Sequence, residues 1–320
     1  MRKVWLTIVC ITFIAGLSVS LLGHLANYLR DEVYNGDWLI FWFTARAPVP
    51  LLYHDLDAFP FAYPPTALFL VKPFALLPVW VSLAVWSIIG LTALCLAARS
   101  LAKPWVIAVA VPMPAIWWCL LAGQTGLIVS AFVIAGLRWP ALWGVGAILK
   151  PQSLIALPFT GEWRRLLITA GVGAAFVLAS VIVWGVQPWL DWVAVLDDFQ
   201  NEVSSRDAIR LNLGLGGWTY WPGAVLGAAC AFLIFRRSED LLERYAALAC
   251  GSVLISPYTL GYDLAGLSIA AAAMLFDEER SVPRWIAGGW VLTGLFPTAG
   301  VIALAAVLVW EHSHSSTKAT

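Results

Sequence analysis

The sequence is short of charge. Asp, Glu, Lys and Arg make up 12% of its 320 residues, whereas 61% are hydrophobic, and the mean hydropathy is +0.83. An ordinary soluble domain is about a quarter charged. Because the formal net charge is zero and the basic residues form no long run, nothing indicates nucleic-acid binding. The composition predicts an integral membrane protein.

Sequence patterns that are typical of metal sites or of secondary transporters are also missing. The five cysteines lie singly inside apolar runs, at no metal-ligand spacing, and are expected to be small buried hydrophobes. Of the four histidines, two are isolated and two lie in a polar tail, so no metal site is expected. The sequence has no inverted repeat of the kind that many secondary transporters show, and no separable soluble domain.

Long apolar runs dominate what is present. Since about 20 residues cross a bilayer as a helix, the runs predict spans near 4–26, 66–98, 104–121, 125–138, 164–187, 214–235, 242–256, 260–276, 283–296 and 297–310. Residues 139–159 are too short for two full crossings and predict a hairpin broken between Lys150 and Pro151. The predicted fold class is all-α: a polytopic bundle of about 10–12 transmembrane helices.

Basic residues predict the orientation, because they favour the cytoplasmic side. The two large loops expected outside, 27–65 and 188–213, hold four of them. The segments expected inside hold thirteen: Arg2, Lys3, Arg99, Lys103, Arg138, Arg164, Arg165, Arg236, Arg237, Arg244, Arg280, Arg284 and Lys318. Both termini are therefore expected in the cytoplasm. Residues 1–310 would form one membrane domain and 311–320 a disordered cytoplasmic tail.

The two outer loops carry aromatic residues at helical spacing. In the second loop, steps of three and four separate the apolar residues Trp189, Trp192, Leu196, Phe199 and Val203. This spacing is typical of an amphipathic helix lying in the membrane interface. In the first loop, Asp37 precedes an aromatic run at 38–43, which predicts a second interfacial helix on the outer face.

Asp37 is the first candidate for chemistry. A partly buried carboxylate at the mouth of an apolar bundle can act as a general base if an acceptor hydroxyl docks within hydrogen-bond reach. Asp is also a favoured N-cap, and a helix that begins at Trp38 would use it in that way. The spacing alone leaves both interpretations open.

Four more polar residues interrupt or border apolar segments. Lys150 stands alone at the predicted hairpin tip, where it needs water, a carboxylate or an anion such as phosphate; the alternative is snorkelling to the nearer interface. Asp263 either caps an apolar helix or lines a cavity. Tyr63 precedes two prolines at a helix start, and Gln124 lies in an outer turn, where it is either a sugar contact or a plain turn residue.

Together these residues resemble the family 87 glycosyltransferases, which are integral membrane enzymes of GT-C architecture. The resemblance is carried, in chain order, by Gly36 and Asp37 with Ala45 after them, Tyr53, Phe61 to Pro65, Pro73 to Pro78, Gly123 and Gln124, Leu149 to Gln152, Trp163 to Arg165, Ser256 and Pro257, and Tyr262 to Leu264. Members of this family use polyprenyl-phosphate-linked sugars, typically mannose, on the outer side of the bacterial cytoplasmic membrane. The resemblance implies the same location, with the active site facing the periplasm or exterior.

The resemblance also implies roles for the residues. Asp37 would be the base that activates the acceptor in an inverting transfer. Lys150 would be the cation at the donor phosphate, with Arg206 and Arg210 in reserve. Substrate contacts would come from Tyr63, Gln124, Gln152, Tyr258 and Asp263; Tyr258 stands where members often carry a histidine. Because a lipid phosphate is already a good leaving group, neither a metal nor another cofactor is expected. The expected partners are a polyprenyl-phosphate-linked sugar, a lipid or glycan acceptor and membrane lipids.

Two other classes of protein share this hydropathy. A transporter or flippase for an amphiphilic lipid-linked substrate would place charged residues deep in several spans, whereas nearly all carboxylates here lie in predicted loops. A non-catalytic subunit of an envelope-synthesis complex would have the same hydropathy, but Asp37 would have no catalytic role in it. The sequence favours the enzyme.

The asymmetry of the basic residues makes a direct prediction about topology. In a cysteine-free background, Asp55→Cys and Asn201→Cys should both react with an impermeant thiol reagent added to intact cells. Labelling that begins only after the membrane is permeabilised would contradict the predicted orientation of both loops.

Overall fold

The fold is all-helical in the part of the chain that the computed structural model describes, residues 37–47, 61–205, 219–256, 259–276, 281–293 and 297–314. The predicted first span, 4–26, and most of the first outer loop lie outside these residues. In chain order the helices are α1 Asp37–Arg46, α2 Leu68–Val71, α3 Val79–Ala98, α4 Pro104–Ala110, α5 Pro114–Ala122, α6 Gly126–Gly136, α7 Ala141–Ala147, α8 Trp163–Trp184, α9 Gln187–Ser205, α10 Tyr220–Arg237, α11 Leu241–Ile255, α12 Ala265–Phe276, α13 Val282–Thr293 and α14 Pro297–His314. Short 3₁₀ segments join several of them, and the predicted all-α fold class is confirmed.

Two of these helices are long and apolar enough to cross a membrane by themselves. Among the described residues they are α3, with 20 residues, and α8, with 22. At 1.5 Å per residue they measure about 30 and 33 Å, which matches the hydrocarbon core of a bilayer. The pair α4 and α5 would make a third span, bent by 67°. Pro114, at the start of α5, lacks a backbone N–H and explains the break.

Several other apolar runs are divided into helices of half that length. α6 has 11 residues, α7 has 7 and α12 has 12, so they measure about 10 to 18 Å. A Cβ placed at Gly90, near the middle of α3, would lie 3.2 Å from the Cβ of Leu127 in the first turn of α6. The start of α6 is therefore level with the middle of α3, inside the bundle.

Residues 139–159 form the broken hairpin that the sequence predicts. After α7 the chain turns at Lys150, with φ −149° and ψ 81°, and continues as the 3₁₀ segments Pro151–Leu154 and Leu157–Thr160. Pro151 has no N–H to continue the helix. Arg165, early in α8, donates to the carbonyl of Leu137, so the chain has returned to the level at which α7 begins. Lys150 is the tip of this hairpin.

The aromatic run that the sequence predicts to form an interfacial helix is helical, and one side of this helix, α1, packs against the bundle. Trp38 and Phe41 are each 1% exposed. The ring of Trp38 lies 5.0 Å from that of Trp86 in α3, and the ring of Phe41 meets that of Phe61 edge-on at 5.7 Å. Because aromatic side chains bury a large area, these contacts fix α1 against the core.

The predicted amphipathic helix of the second outer loop is present as α9. Trp192 donates from Nε1 to the carbonyl of Ala62 at 3.2 Å, and Trp189 donates to the hydroxyl of Ser180 at 2.9 Å. Val195 is buried. These contacts tie α9 to α8 and to the last residues of the first outer loop.

A second set of charged side chains joins the C-terminal helices. Arg284 in α13 pairs with Glu243 in the first turn of α11 and with Glu311 in α14. The helix α14 continues to His314, so it includes the first four residues of the segment 311–320 that is expected to form the tail. The ion pair of Glu311 explains why the helix extends past the apolar run.

One tight contact gives a prediction about stability. A Cβ at Gly136 would lie 2.0 Å from Cδ1 of Trp143, a fully buried ring that donates to the carbonyl of Val133 at 2.8 Å. We expect Gly136→Ala to lower the free energy of unfolding by about 1–3 kcal/mol through overpacking. A Cβ at Gly171 in α8 would meet no atom within 4 Å, so Gly171→Ala should be neutral or slightly stabilising. Equal melting temperatures of the two purified variants would contradict this packing.

Candidate active site

The hairpin tip carries a charged residue into the interior of the bundle. Lys150 is 4% exposed, and its ammonium group pairs with the carboxylate of Asp263. Asp263 lies in the 3₁₀ segment Gly261–Leu264, which leads into α12. A buried charge without a partner is strongly destabilising. Lys150 therefore meets a carboxylate inside the protein instead of snorkelling to the interface.

Asp263 is held by its own backbone turn. One carboxylate oxygen, Oδ2, accepts from the N–H of Leu260 at 3.0 Å, while the other, Oδ1, accepts from Lys150. The carboxylate thus caps the helical segment and meets the lysine, so the two roles that the sequence leaves open are both filled. Because Oδ2 is bonded to the turn, the carboxylate cannot leave the lysine without losing its cap.

Tyr262 forms a wall beside the pair. The Lys150 ammonium lies 4.7 Å from the centre of its ring, within the range of a cation–π interaction. The carbonyl of Tyr262 accepts from the thiol of Cys119 in α5 at 3.4 Å. A Cβ at Gly126 would lie 2.5 Å from the same carbonyl oxygen, so the first residue of α6 must be glycine for this approach. Three helices, α5, α6 and α12, therefore meet at the ion pair.

The ammonium of Lys150 has donor capacity left over. It carries three N–H donors, and among the described residues its hydrogen bond is to Asp263 alone. A cavity of about 50 Å³ lies beside the pair, which is room for several water molecules. Its polar lining, besides the pair, consists of Ser130, Gln152, Ser153, Tyr245, Ser252 and Thr259. The site therefore offers N–H donors next to a hydroxyl-lined space, which suits an anion that carries polar groups.

A second polar contact joins the first loop to the turn between α5 and α6. The hydroxyl of Tyr63 donates to Oε1 of Gln124 at 3.2 Å and lies 3.2 Å from the hydroxyl of Thr125. Gln124 is 2% exposed. Gly123 ends α5 in the left-handed region, at φ 67°, which a residue with a Cβ seldom adopts. Gln124 is thus a buried, bonded side chain and not a plain turn residue.

Contacts at both ends of α1 fix its position, and one of them involves Tyr63. The ring of Tyr63 lies 4.6 Å from the ring of Phe41. At the other end of the helix, Lys72 donates from Nζ to the carbonyl of Ala45 at 3.1 Å, where a cation complements the helix dipole. Asp37 is the first residue of α1, so the contacts of α1 fix its backbone position.

Comparison with protein families decides what kind of protein has this site. The family model described as glycosyltransferase family 87 matches residues 61–257, more than half of the chain. The chain belongs to glycosyltransferase family 87. None of the curated proteins and none of the solved structures matches it. The resemblance drawn from the sequence is confirmed, and the chain is a membrane transferase enzyme.

The structure of this glycosyltransferase brings five predicted site residues into two neighbouring groups. Lys150, Gln152 and Asp263 surround the cavity, and Tyr63 bonds Gln124. The groups are linked because α6 begins directly after Gln124 and Thr125 and packs on Tyr262. Outside the described residues lie Arg206, Arg210, Tyr258 and the side chain of Asp37. The family match itself includes neither Asp37 nor Asp263.

Sequence reasoning missed several residues of the site. Thr125 bonds Tyr63, and the hydroxyls of Ser130 and Ser252 line the cavity. Ser130 interrupts the otherwise apolar helix α6, and Ser252 lies in the apolar second half of α11. A polar residue in such a run is a usable signal for a polar site within a membrane bundle. In the sequence Tyr262 stands out only as a neighbour of Asp263, because a cation–π contact leaves no spacing signature.

The pair between Lys150 and Asp263 predicts a strong coupling of two substitutions. Lys150→Met or Asp263→Asn alone leaves one buried charge uncompensated and should lower the free energy of unfolding by about 3–5 kcal/mol. The double variant removes both charges and should lose far less than the sum. Asn keeps an oxygen that can accept from Leu260, so the cap is retained.

A surface ion pair is the control for this cycle. The side chain of Glu239 is 91% exposed and lies 2.8 Å from Arg244, so Glu239→Gln should change the free energy of unfolding by less than about 1 kcal/mol. Unfolding in mixed detergent micelles measures all four variants. Additive losses in the double variant would contradict a direct ion pair.

Proposed function

We propose that this glycosyltransferase moves a hexose, most simply mannose, from a polyprenyl-phosphate donor to a lipid or glycan acceptor, with inversion at the anomeric carbon. The observation that supports this proposal is the ion pair at the hairpin tip, where a buried ammonium keeps spare N–H donors beside a hydroxyl-lined cavity. A lipid-linked donor holds its sugar phosphate at the membrane, where a membrane-embedded enzyme can reach it.

Lys150 is the proposed ligand of the donor phosphate. When the bond between the anomeric carbon and the phosphate oxygen breaks, the electron pair stays on the phosphate, and a fixed cation stabilises the charge that develops there. Arg206 and Arg210, in the second outer loop, are reserve cations for the same phosphate. A lipid phosphate is a good leaving group, so the scheme uses side-chain cations and needs no metal or other cofactor.

Asp37 is the proposed general base. It takes the proton of the acceptor hydroxyl while that oxygen attacks the anomeric carbon from the side opposite the phosphate, and a single displacement of this kind inverts the configuration. Support comes from the position of Asp37 at the first residue of α1, a helix fixed by buried aromatic contacts. Tyr63, Gln124, Gln152, Tyr258 and Asp263 are the proposed contacts to the substrates.

The proposed setting is the bacterial cytoplasmic membrane, with both termini in the cytoplasm and the site open to the periplasm or exterior. The asymmetry of the basic residues supports this orientation. The orientation also agrees with the proposed donor. A lipid carrier can deliver an activated sugar to the outer face of the membrane without a soluble sugar nucleotide.

The role of Asp37 leads to a test of the proposed reaction. Asp37→Asn removes the basic oxygen but caps a helix about as well as Asp does, so the variant should fold, bind donor and lose about 10²- to 10⁴-fold in rate. The measurement is transfer of radiolabelled mannose from polyprenyl-phosphate-mannose to a lipid extract by the purified chain.

The control is a carboxylate in the second outer loop. Asp191 in α9 accepts from Gln187 at 2.8 Å on the exposed side of that helix, and Asp191→Asn should keep normal transfer. Near-normal turnover of Asp37→Asn would leave Asp37 as a helix cap and remove it from the mechanism. Absence of transfer by the unaltered chain with this donor would contradict the proposed substrate.

A further inference from the structure

We propose that Asp263 sets the affinity of Lys150 for phosphate. Its carboxylate keeps the net charge of the buried pair at zero, so that the site holds the donor through hydrogen bonds and still releases the lipid phosphate that the reaction leaves behind. This inference rests on the proposed function, because it takes the phosphate of the donor as the ligand of Lys150.

The geometry keeps the carboxylate in place when a ligand arrives. Oδ2 of Asp263 is bonded to the N–H of Leu260 at 3.0 Å, so the side chain stays on its turn. The ring of Tyr262 covers another side of the ammonium, at 4.7 Å from its centre. The cavity is lined by both Lys150 and Asp263. A phosphate that enters the cavity would therefore share Lys150 with Asp263 and would not replace it.

The charges explain why this sharing matters for turnover. The donor is a phosphodiester with a single negative charge, whereas the product is a phosphate monoester that carries close to two charges at neutral pH. In a buried site with little screening, an uncompensated ammonium would attract the product more strongly than the donor. A carboxylate beside the ammonium repels the product, with nearly two negative charges, more strongly than the donor, with one. Asp263 thus weakens binding of the species that has to leave.

The test is the binding of a short-chain prenyl phosphate to the purified full-length chain in detergent, measured by titration calorimetry. Asp263→Asn keeps the acceptor for Leu260 and removes the negative charge. We expect this variant to bind the probe about 10- to 100-fold more tightly, as the loss of one unit charge at close range implies. In the transfer assay, KM for the donor and kcat should both fall, and inhibition by the prenyl phosphate should become stronger.

Two further variants separate this inference from the proposed role of Lys150. Lys150→Met should lose probe binding; if it does not, Lys150 is no phosphate ligand and that part of the proposed function fails. Lys150→Met with Asp263→Asn should also fail to bind. If Lys150→Met abolishes binding but Asp263→Asn leaves it unchanged or weaker, the lysine keeps its role and only the inference about Asp263 is overturned.

A second buried ion pair supplies the matched control. Glu243 pairs with Arg284, which keeps its other partner Glu311, and none of the three lines the cavity beside Lys150. Glu243→Gln should lower stability without changing the affinity for the probe.

The stability of Asp263→Asn is itself informative. An anion bound at Lys150 should supply the missing negative charge, so the prenyl phosphate should raise the melting temperature of Asp263→Asn more than that of the unaltered chain. The inference would be overturned if Asp263→Asn did not fold at any concentration of the probe while the double variant did. That result would show that a bound phosphate cannot replace the negative charge of Asp263 beside Lys150.

Discussion

The ion pair between Lys150 and Asp263 is the interaction on which the rest of the arrangement depends. Neither charge is stable alone in the interior, so the hairpin that carries the lysine and the turn that carries the aspartate have to meet. Their meeting fixes Tyr262, and Tyr262 in turn requires glycine at the start of α6. The cavity beside the pair is lined by the same elements, and their hydroxyl groups face it.

Helices of unequal length place this pair within the bundle. α3 and α8 are long enough to cross a bilayer, whereas α6, α7 and α12 have only 11, 7 and 12 residues. Irregular backbone inside a membrane protein is tolerated where it is covered by protein or lines a polar cavity. The short helices therefore allow a glycosyltransferase of family 87 to keep charged and hydroxyl groups beneath its surface. Next to this region, α1 contacts Tyr63 and α9 contacts the carbonyl of Ala62.

The sequence predicted the features that depend on composition or on the spacing of neighbouring residues. Low charge and long apolar runs indicated the all-α membrane fold, Pro151 indicated the hairpin tip, and the spacing of Trp189 and Trp192 indicated α9. It could not predict that Lys150 meets Asp263, because 113 residues separate the two and their pairing depends on tertiary packing. For the same reason it could not predict that Trp38 in α1 packs on Trp86 in α3.

A density map of the chain with a prenyl-phosphate sugar bound would show whether the hairpin tip binds the phosphate of a lipid-linked sugar. We expect the phosphate within hydrogen-bonding distance of Nζ of Lys150, with Asp263 still bonded to the N–H of Leu260 and the sugar extending toward α1. Phosphate density at a distance from Lys150, with the ion pair closed and its cavity empty, would contradict the proposed role of the lysine.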